Sequence, residues 1–240
     1  MNVEMIPVAA AADPAGLRGT TAVVFDVLRA TSTIITALAA GYRCIYPVSG
    51  AGEAAALAAG RGYALAGERG GEKIPGFPLG NSPLEFLAGP GDGSDVLVLT
   101  TSNGTGAILR SVQAERVLIG AVLNAGAVAS AAWREKRDII LVCAGSGGRF
   151  ALEDALGAGF VAEELVKLAS GSLVMDDMTM AVRDLALYYR ARPLAGLDLG
   201  QHGRKLLTMG REEDLRWCAQ LNKYSVVPFF ARGCIKALQL

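Results

Sequence analysis

Residues 21–33 read TAVVFDVLRATST, an apolar run that changes abruptly into a charged and hydroxyl-rich segment. The run shows no alternation of apolar and polar residues, which is typical of a strand covered on both faces. Similar runs follow at 43–48, 95–100, 116–120 and 138–143, and helix-like stretches at 32–40, 51–59, 104–111 and 125–133 separate them. Alternating strands and helices predict a layered α/β/α fold with a largely parallel or mixed sheet.

The pattern of this first unit recurs 73 residues later. Residues 21–48 and 94–121 align without a gap, with strand on strand, polar loop on loop and helix on helix, although only three of the 28 pairs are identical. Structural repeats often keep their pattern and lose their identity, so an internal duplication and two unrelated units both stay open. We expect one domain over residues 1–240, or two merged α/β halves at about 1–90 and 91–240.

The last third of the chain has a different character. It predicts three helices and a closing strand, at 152–169, 176–192, 211–221 and 226–230. Pro228 lacks the N–H that a sheet ladder needs, so we expect the closing strand at an edge of the sheet. Earlier in the chain, residues 67–81 include five glycines, and we expect a long loop there, of a kind that often carries function.

The composition excludes several classes of protein. Lys plus Arg and Asp plus Glu both number 23, and a chain without a basic excess is not expected to bind nucleic acid. No apolar run reaches the roughly 18 residues of a membrane span, and the N-terminus lacks the basic start of a secretory signal. The four cysteines have no paired spacing, which favours reduced thiols and a cytoplasmic location. The apolar fraction of 52% leaves a homodimer open.

The sequence contains one histidine, His202, in the polar stretch LGQHGRK. A Ser-His-Asp triad or a two-histidine zinc site needs a committed histidine. We expect His202 to be an ordinary surface residue, and Cys143 to be a buried structural thiol instead of a nucleophile. An enzymatic reaction would then depend on carboxylates, arginines, hydroxyls, backbone amides or a metal.

Three apolar strands run straight into loops of small polar residues, at 26–33, 100–106 and 143–149. Each loop alone is explained by helix capping, because Ser and Thr are common N-cap residues. Ligands of open α/β sheets bind beyond the carboxyl ends of the strands, where helix N-termini favour anions. We therefore expect the three loops together to form one pocket for phosphate, sulfonate or carboxylate groups.

Carboxylates accompany these loops. Asp26 follows a buried strand, where a carboxylate is costly unless it is paired or bound to metal. It is either a structural partner of Arg29, or a magnesium ligand or nucleophile. Glu68 lies in the glycine-rich segment, which its composition also explains as a solvated loop. Glu153 and Asp154 start a predicted helix, where compensation of the helix dipole is the alternative reading.

Five segments, taken in order, resemble the 2-phosphosulfolactate phosphatase family. They are DVLRATST at 26–33, AGERGG at 66–71, LGNSP at 79–83, LTTSNGT at 99–105, and CAG followed by LED between 143 and 154. The resemblance implies an α/β fold, dependence on Mg²⁺, and hydrolysis of (R)-2-phospho-3-sulfolactate to (R)-3-sulfolactate and phosphate in coenzyme M biosynthesis. It also implies a small anionic phosphate ester as the partner of the chain.

The resemblance and the chemistry of such a substrate together suggest the site residues. Asp26, Glu68 and Asp154 are expected to be catalytic, holding Mg²⁺ or orienting the attacking water, and Glu153 is expected to join them as a metal ligand. Substrate binding is expected from Arg29, Ser32, Thr33, Arg69, Lys73, Asn81, Ser82, Asn103, Gly104, Thr105, Gly145 and Gly148.

Three alternatives stay open at this point. The substrate could be another phosphorylated 2-hydroxy acid, or the chain could bind anions without catalysis. Within the phosphatase reading, Asp26 could form an aspartyl-phosphate. The Asp-x-Asp pattern of haloacid-dehalogenase phosphatases is absent, since position 28 is Leu28, and this favours a metal-activated water.

Overall fold

The structure is a computed structural model that describes residues 1–91, 93–169, 171 and 173–239. The strands in this part of the chain are β1 (Asn2–Ile6), β2 (Thr21–Phe25), β3 (Cys44–Pro47), β4 (Ala64–Arg69), β5 (Glu72–Lys73), β6 (Val96–Thr100), β7 (Arg116–Gly120), β8 (Ile139–Cys143), β9 (Val174–Met175), β10 (Pro228–Ala231) and β11 (Cys234–Ala237). The helices are α1 (Ala30–Ala39), α2 (Ala51–Arg61), α3 (Gly104–Arg110), α4 (Ala125–Arg134), α5 (Leu152–Ala169), α6 (Asp177–Tyr189), α7 (Pro193–Leu197), α8 (Gln201–Thr208) and α9 (Glu212–Cys218).

The strands form one mixed sheet in the order β5-β4-β6-β3-β11-β10-β7-β2-β8-β1-β9. Strands β4, β6 and β3 run parallel to one another, and β7, β2, β8 and β1 form a second parallel group. The antiparallel hairpin of β10 and β11 joins these two parallel groups. The predicted α/β fold with a largely parallel or mixed sheet is confirmed.

At β2, different hydrophobic cores cover the two faces of the sheet. In β2, Val23 and Phe25 pack into the core that contains α5, whereas Val24 packs into the core that contains Ile34 of α1. All three strand residues are fully buried, which explains why the sequence of β2 is apolar without alternation. Helices therefore lie on both sides of the sheet.

The sheet order is mirrored about the central hairpin. The unit β2-α1-β3-α2-β4 has the same order of elements as β6-α3-β7-α4-β8. Strand β6 of the second unit lies between β3 and β4, and β2 of the first unit lies between β7 and β8. The topology thus has the form of a duplication in which the two units exchange their first strands. The division into one domain or two merged halves stays a prediction.

The closing strand is not at an edge of the sheet, so that prediction is wrong. β10 pairs with β11 on one side and with β7 on the other. Pro228 is the first residue of β10, and β7 pairs with the following residues, Phe229 and Phe230. The missing N–H of the proline is therefore not required by the ladder.

The predicted loop at 67–81 is partly a β-hairpin. Strand β4 extends to Arg69, Gly70 and Gly71 turn with φ of 64° and 93°, and β5 follows. Glycine suits both turn positions because side chains disfavour positive φ.

Among the helices of the last third, α5 has the predicted bounds, and α6 and α9 are shorter than predicted. Helices α7 and α8 were not predicted. No helix in the described part of the chain is long and apolar enough to cross a membrane.

Candidate active site

Several loops and one helix enclose a cavity of about 380 Å³. Its lining comes mainly from the segments that follow β2, β4, β6 and β8, and from α8. The lining residues are Asp26, Leu28, Arg29, Glu68, Gly70, Gly71, Asn81, Ser102, Asn103, Ser146, Gly147, His202 and Lys205. The three polar loops that were predicted to converge therefore meet at one pocket. Sheet order alone does not bring them together, because β3, β11, β10 and β7 lie between β6 and β2.

Asp26 is the first residue after β2, and it lines the cavity although it is only 7% exposed. Its Oδ1 accepts a hydrogen bond from Ala30 N at 3.3 Å, at the start of α1. A Cβ at Gly104 would lie 2.6 Å from Oδ2, so glycine lets α3 approach this carboxylate. Burial, followed by the negative charge of Glu68, raises the pKa of Asp26 to about 7. Asp26 can therefore gain or lose a proton near neutral pH.

Glu68, near the end of β4, is the second carboxylate in the cavity wall. Its Oε1 accepts a hydrogen bond from Ser102 N at 2.6 Å. Its Oε2 accepts from Gly71 N at 2.6 Å and from Ser102 Oγ at 3.2 Å. These bonds connect the β4–β5 turn to the loop after β6 and fix the carboxylate at the cavity.

Arg29 is buried beside these carboxylates and is paired with an acid from α9. Its guanidinium donates to Oδ2 of Asp214 and, at 2.6 Å, to the carbonyl oxygen of Gly71. The other oxygen of Asp214 accepts a hydrogen bond from Ser82 Oγ. The side chains of Arg29 and Asp214 are each 3% exposed, so they form a buried ion pair. Sequence reasoning missed Asp214, which is 185 residues away from its partner.

Asp154 lies behind the cavity and not in its lining. Its carboxylate accepts hydrogen bonds from Val27 N at 2.8 Å and from Gly145 N at 3.0 Å. It thereby fastens the loop after β2 to the loop after β8. Burial, and then the charge of Asp26, raise the pKa of Asp154 well above its usual value. Gly145 has a φ of 73°, and a Cβ there would lie 2.5 Å from the carbonyl oxygen of Arg149.

Glu153 is also buried and also lies outside the cavity lining. Its carboxylate packs against Gly200, and its Oε2 has no hydrogen-bond partner among the described residues. Burial raises the pKa of this carboxyl group. Of the four carboxylates that were predicted to bind metal, Asp26 and Glu68 face the cavity, whereas Glu153 and Asp154 do not.

The predicted substrate-binding residues fall into three groups. Arg29, Asn81 and Asn103 line the cavity. Ser32, Thr33, Ser82, Gly104, Thr105 and Gly145 are buried or tightly packed in the segments that shape it. Their hydroxyls serve the fold, since Ser32 donates to the carbonyl of Val27 and Thr33 donates to the carbonyl of Asn81.

The third group, Arg69, Lys73 and Gly148, lies outside the cavity lining. The guanidinium of Arg69 donates to two backbone carbonyls and to Thr100 Oγ1. Lys73 is exposed, with its Nζ 3.5 Å from the carbonyl oxygen of Pro78. In the loop after β8 the lining residues are Ser146 and Gly147.

Helix α8 forms the wall of the cavity that sequence reasoning missed. His202 and Lys205 are three residues apart, hence on one face of the helix, and both line the cavity. The prediction that His202 is an ordinary surface residue is wrong, because it is half-buried in this wall. Burial, and then the charges of Arg29 and Lys205, lower the pKa of His202. As the single histidine of the chain, it was the signal that could have located this wall.

Within residues 1–91, 93–169, 171 and 173–239, no group of three or more His, Cys, Asp or Glu side chains is arranged to hold a metal ion. Any metal in the cavity would therefore depend on two carboxylates at most, together with other oxygen ligands. Cys143 is fully buried, as predicted for a structural thiol, and burial raises its pKa well above the usual value.

Comparison with known proteins identifies the family. A family model described as 2-phosphosulpholactate phosphatase matches residues 9–233. The chain belongs to the 2-phosphosulfolactate phosphatase family. A relative from Symbiobacterium thermophilum, named probable 2-phosphosulfolactate phosphatase, is 39% identical over 226 residues, covering 93% of this chain and 96% of the relative. A relative of the same name from Carboxydothermus hydrogenoformans is 40% identical, covering 86% of this chain and 84% of its own length.

The region that matches the 2-phosphosulfolactate phosphatase family includes every residue in the cavity lining. It contains the loops after β2, β4, β6 and β8, and it continues through α8 and α9. His202, Lys205 and Asp214 thus lie inside the family region, although the segments that carried the sequence resemblance end at Asp154.

Without divalent cations, the free energy of unfolding of this family member is expected to fall as the pH rises from about 4 to about 7. The pKa of Asp26 is about 7 in the folded chain and 3.8 as the ordinary value. The folded state therefore binds this proton more tightly than the unfolded state, and the advantage disappears as the proton leaves. The contribution is on the order of a few kcal/mol.

Urea denaturation in EDTA, at about pH 5 and about pH 8, checks this prediction. Asp26→Asn cannot titrate, so its stability relative to the original chain should increase between the two pH values. A stability difference that is the same at both pH values would contradict the assignment of the raised pKa to Asp26.

Proposed function

We propose that the chain is a Mg²⁺-dependent phosphatase that hydrolyses (R)-2-phospho-3-sulfolactate to (R)-3-sulfolactate and inorganic phosphate. The observation that carries this proposal is the presence of two carboxylates, Asp26 and Glu68, in the wall of one cavity with the cations Arg29 and Lys205. The name of the relatives, probable 2-phosphosulfolactate phosphatase, supports the choice of substrate.

The oxygen atoms of the cavity suit Mg²⁺. This ion usually binds one or two carboxylates and keeps its other positions for substrate phosphate and water. Asp26 and Glu68 would supply the carboxylates. Asn81 lines the same wall, and its buried Oδ1 lacks a hydrogen-bond partner among the described residues, so it is available as a further oxygen ligand. Burial and the charge of Glu68 disfavour an ionised Asp26, and a divalent cation would oppose both effects.

When bound there, Mg²⁺ would neutralise charge on the phosphate. Arg29 is held in place by Asp214 and Gly71, and its other N–H groups, which have no acceptor among the described residues, would bind phosphate oxygens. Phosphoryl transfer needs in-line placement and charge neutralisation more than a strong base. Asp26 and Glu68 would meet the first need by orienting the attacking water. Water adds across the P–O bond, and the proton that it releases ends on the oxygen of the leaving hydroxy acid.

The test is the release of inorganic phosphate from (R)-2-phospho-3-sulfolactate by the purified chain with Mg²⁺. We expect turnover that EDTA abolishes and that excess Mg²⁺ restores. A panel with 2-phosphoglycolate and 2-phospholactate would rank the sulfonated substrate against other phosphorylated 2-hydroxy acids. The proposal fails if none of these compounds is hydrolysed. Binding of the compounds without turnover would favour a non-enzymatic anion-binding protein.

A further inference from the structure

The two long cationic side chains that line the cavity differ in their partners. Arg29 is buried, and its charge is offset by Asp214. The ammonium group of Lys205, on α8, forms no ion pair or hydrogen bond with any residue of the described ranges. Its Nζ lies 3.8 Å from the place where a Cβ on Gly70 would stand, across the turn between β4 and β5. Lys205 therefore brings to the cavity a positive charge that forms no ion pair with any acid in the described part of the chain.

We propose that Lys205 binds the sulfonate of the substrate and thereby sets the preference for a sulfonated hydroxy acid. This inference rests on the proposed function, in which one small substrate carries a phosphate, a carboxylate and a sulfonate. The cavity must then hold three anionic groups. Beside the carboxylates of Asp26 and Glu68, an anionic group of the substrate can bind only through a cation that both of them contact. The unpaired cation of Lys205, on α8, is the complement of the anionic group that remains.

The chemistry of lysine favours the sulfonate over the other two groups. A carboxylate or a phosphate is well matched by the planar fork of Arg29, which can bind two oxygens at once. A sulfonate is a permanent monoanion with three equivalent oxygens. A lysine ammonium is a compact charge with three N–H donors on a flexible stem, and it can follow such a group without a fixed geometry.

His202 does not replace Lys205 in this role. It faces the cavity from the preceding turn of α8, but burial and the charges of Arg29 and Lys205 lower its pKa. A neutral imidazole can donate a hydrogen bond, yet it adds no charge near pH 7. The charge on this wall of the cavity thus comes from Lys205.

The experiment compares two substrates that differ only in the sulfonate. The first is 2-phospho-3-sulfolactate, and the second is 2-phospholactate, in which hydrogen replaces the sulfonate. We expect Lys205→Met to lower kcat/KM for the sulfonated substrate by about 10- to 100-fold, mainly through KM, as for the loss of a hydrogen bond to a charged group. For 2-phospholactate, kcat/KM should be nearly unchanged. Where its turnover is slow, the inhibition constant of 2-phospholactate gives the same comparison.

Arg204→Met is the matched control, since it removes one positive charge from the adjacent position of α8, outside the cavity lining. It should leave the ratio of the two kcat/KM values unchanged. Equal losses on both substrates in Lys205→Met would show that Lys205 binds the phosphate or the carboxylate, and an absence of loss would show that it binds none of them. Either result overturns the inference while the phosphatase activity stands. If the original chain hydrolyses neither compound, the proposed function fails first.

Discussion

Replacing Asp26 with Asn is expected to lower kcat for phosphate release by about 100- to 1000-fold at saturating Mg²⁺. The substitution keeps the shape of the side chain and removes its charge. Asp26 faces the cavity close to Glu68 and to the start of α3, and its Oδ2 accepts no backbone hydrogen bond from the described residues. Its loss takes away one of the two carboxylates that would hold the metal and orient the attacking water. Phosphate release under single-turnover conditions measures the effect on the chemical step.

Asp95→Asn is the control for this prediction. Asp95 also flanks a strand, but its side chain is 45% exposed and pairs with Arg43 at the surface. Its substitution should leave the rate unchanged. Wild-type turnover by Asp26→Asn would exclude Asp26 from the reaction, whatever its position in the cavity. The two variants should both fold, because amide and carboxylate have nearly the same volume.

Replacing Asp214 with Ala is expected to destabilise the fold by about 3–5 kcal/mol. Both oxygens of Asp214 accept hydrogen bonds, from Arg29 and from Ser82, and the pair with Arg29 is buried. Without this acid the guanidinium keeps an unpaired charge that is largely shielded from water. The free energy of unfolding from urea denaturation measures the cost, and activity should fall because Arg29 loses its fixed position.

A double variant distinguishes the unpaired charge from simple loss of packing. Arg29→Met combined with Asp214→Leu removes both charges and should recover much of the stability, but not the activity. Asp95→Ala breaks a surface ion pair and should cost no more than about 1 kcal/mol. If Asp214→Ala lowered the free energy of unfolding no more than Asp95→Ala, the buried ion pair would contribute no more to stability than a surface ion pair.

The strands and the first half of the site could be predicted because their signals are local. The apolar run at 21–25 and the polar residues that follow it predict a buried strand and a loop. The same pattern recurs at β6 and β8 with their following loops. Asp26 is conspicuous for the same reason, since a carboxylate directly after a buried strand needs a partner. The pairing of β10 with β7, which is distant in the sequence, could not be predicted. For this reason the strand that starts at Pro228 was predicted at an edge of the sheet.

The second half of the site depends on contacts that leave no local pattern. Asp214 appears in the sequence as one of three acids in the first turn of a short helix, where the helix dipole explains it. Lys205 resembles any other surface lysine. Glu153 and Asp154 stay predicted ligands from their sequence position, and α5 places them outside the cavity lining. Only the packing of α8 and α9 against the loops decides which of these groups meet.

The exchange of β2 and β6 between the two repeated units has a consequence for the origin of the site. A single unit would leave its first strand without the neighbours that bury it, unless a second copy supplied them. The mirrored order is therefore the one expected of a strand-swapped homodimer whose two copies became one polypeptide. Such an ancestor would have had two identical loops facing each other. In this chain the two equivalent positions differ in charge, since the residue directly after β2 is Asp26 and the residue directly after β6 is Thr101.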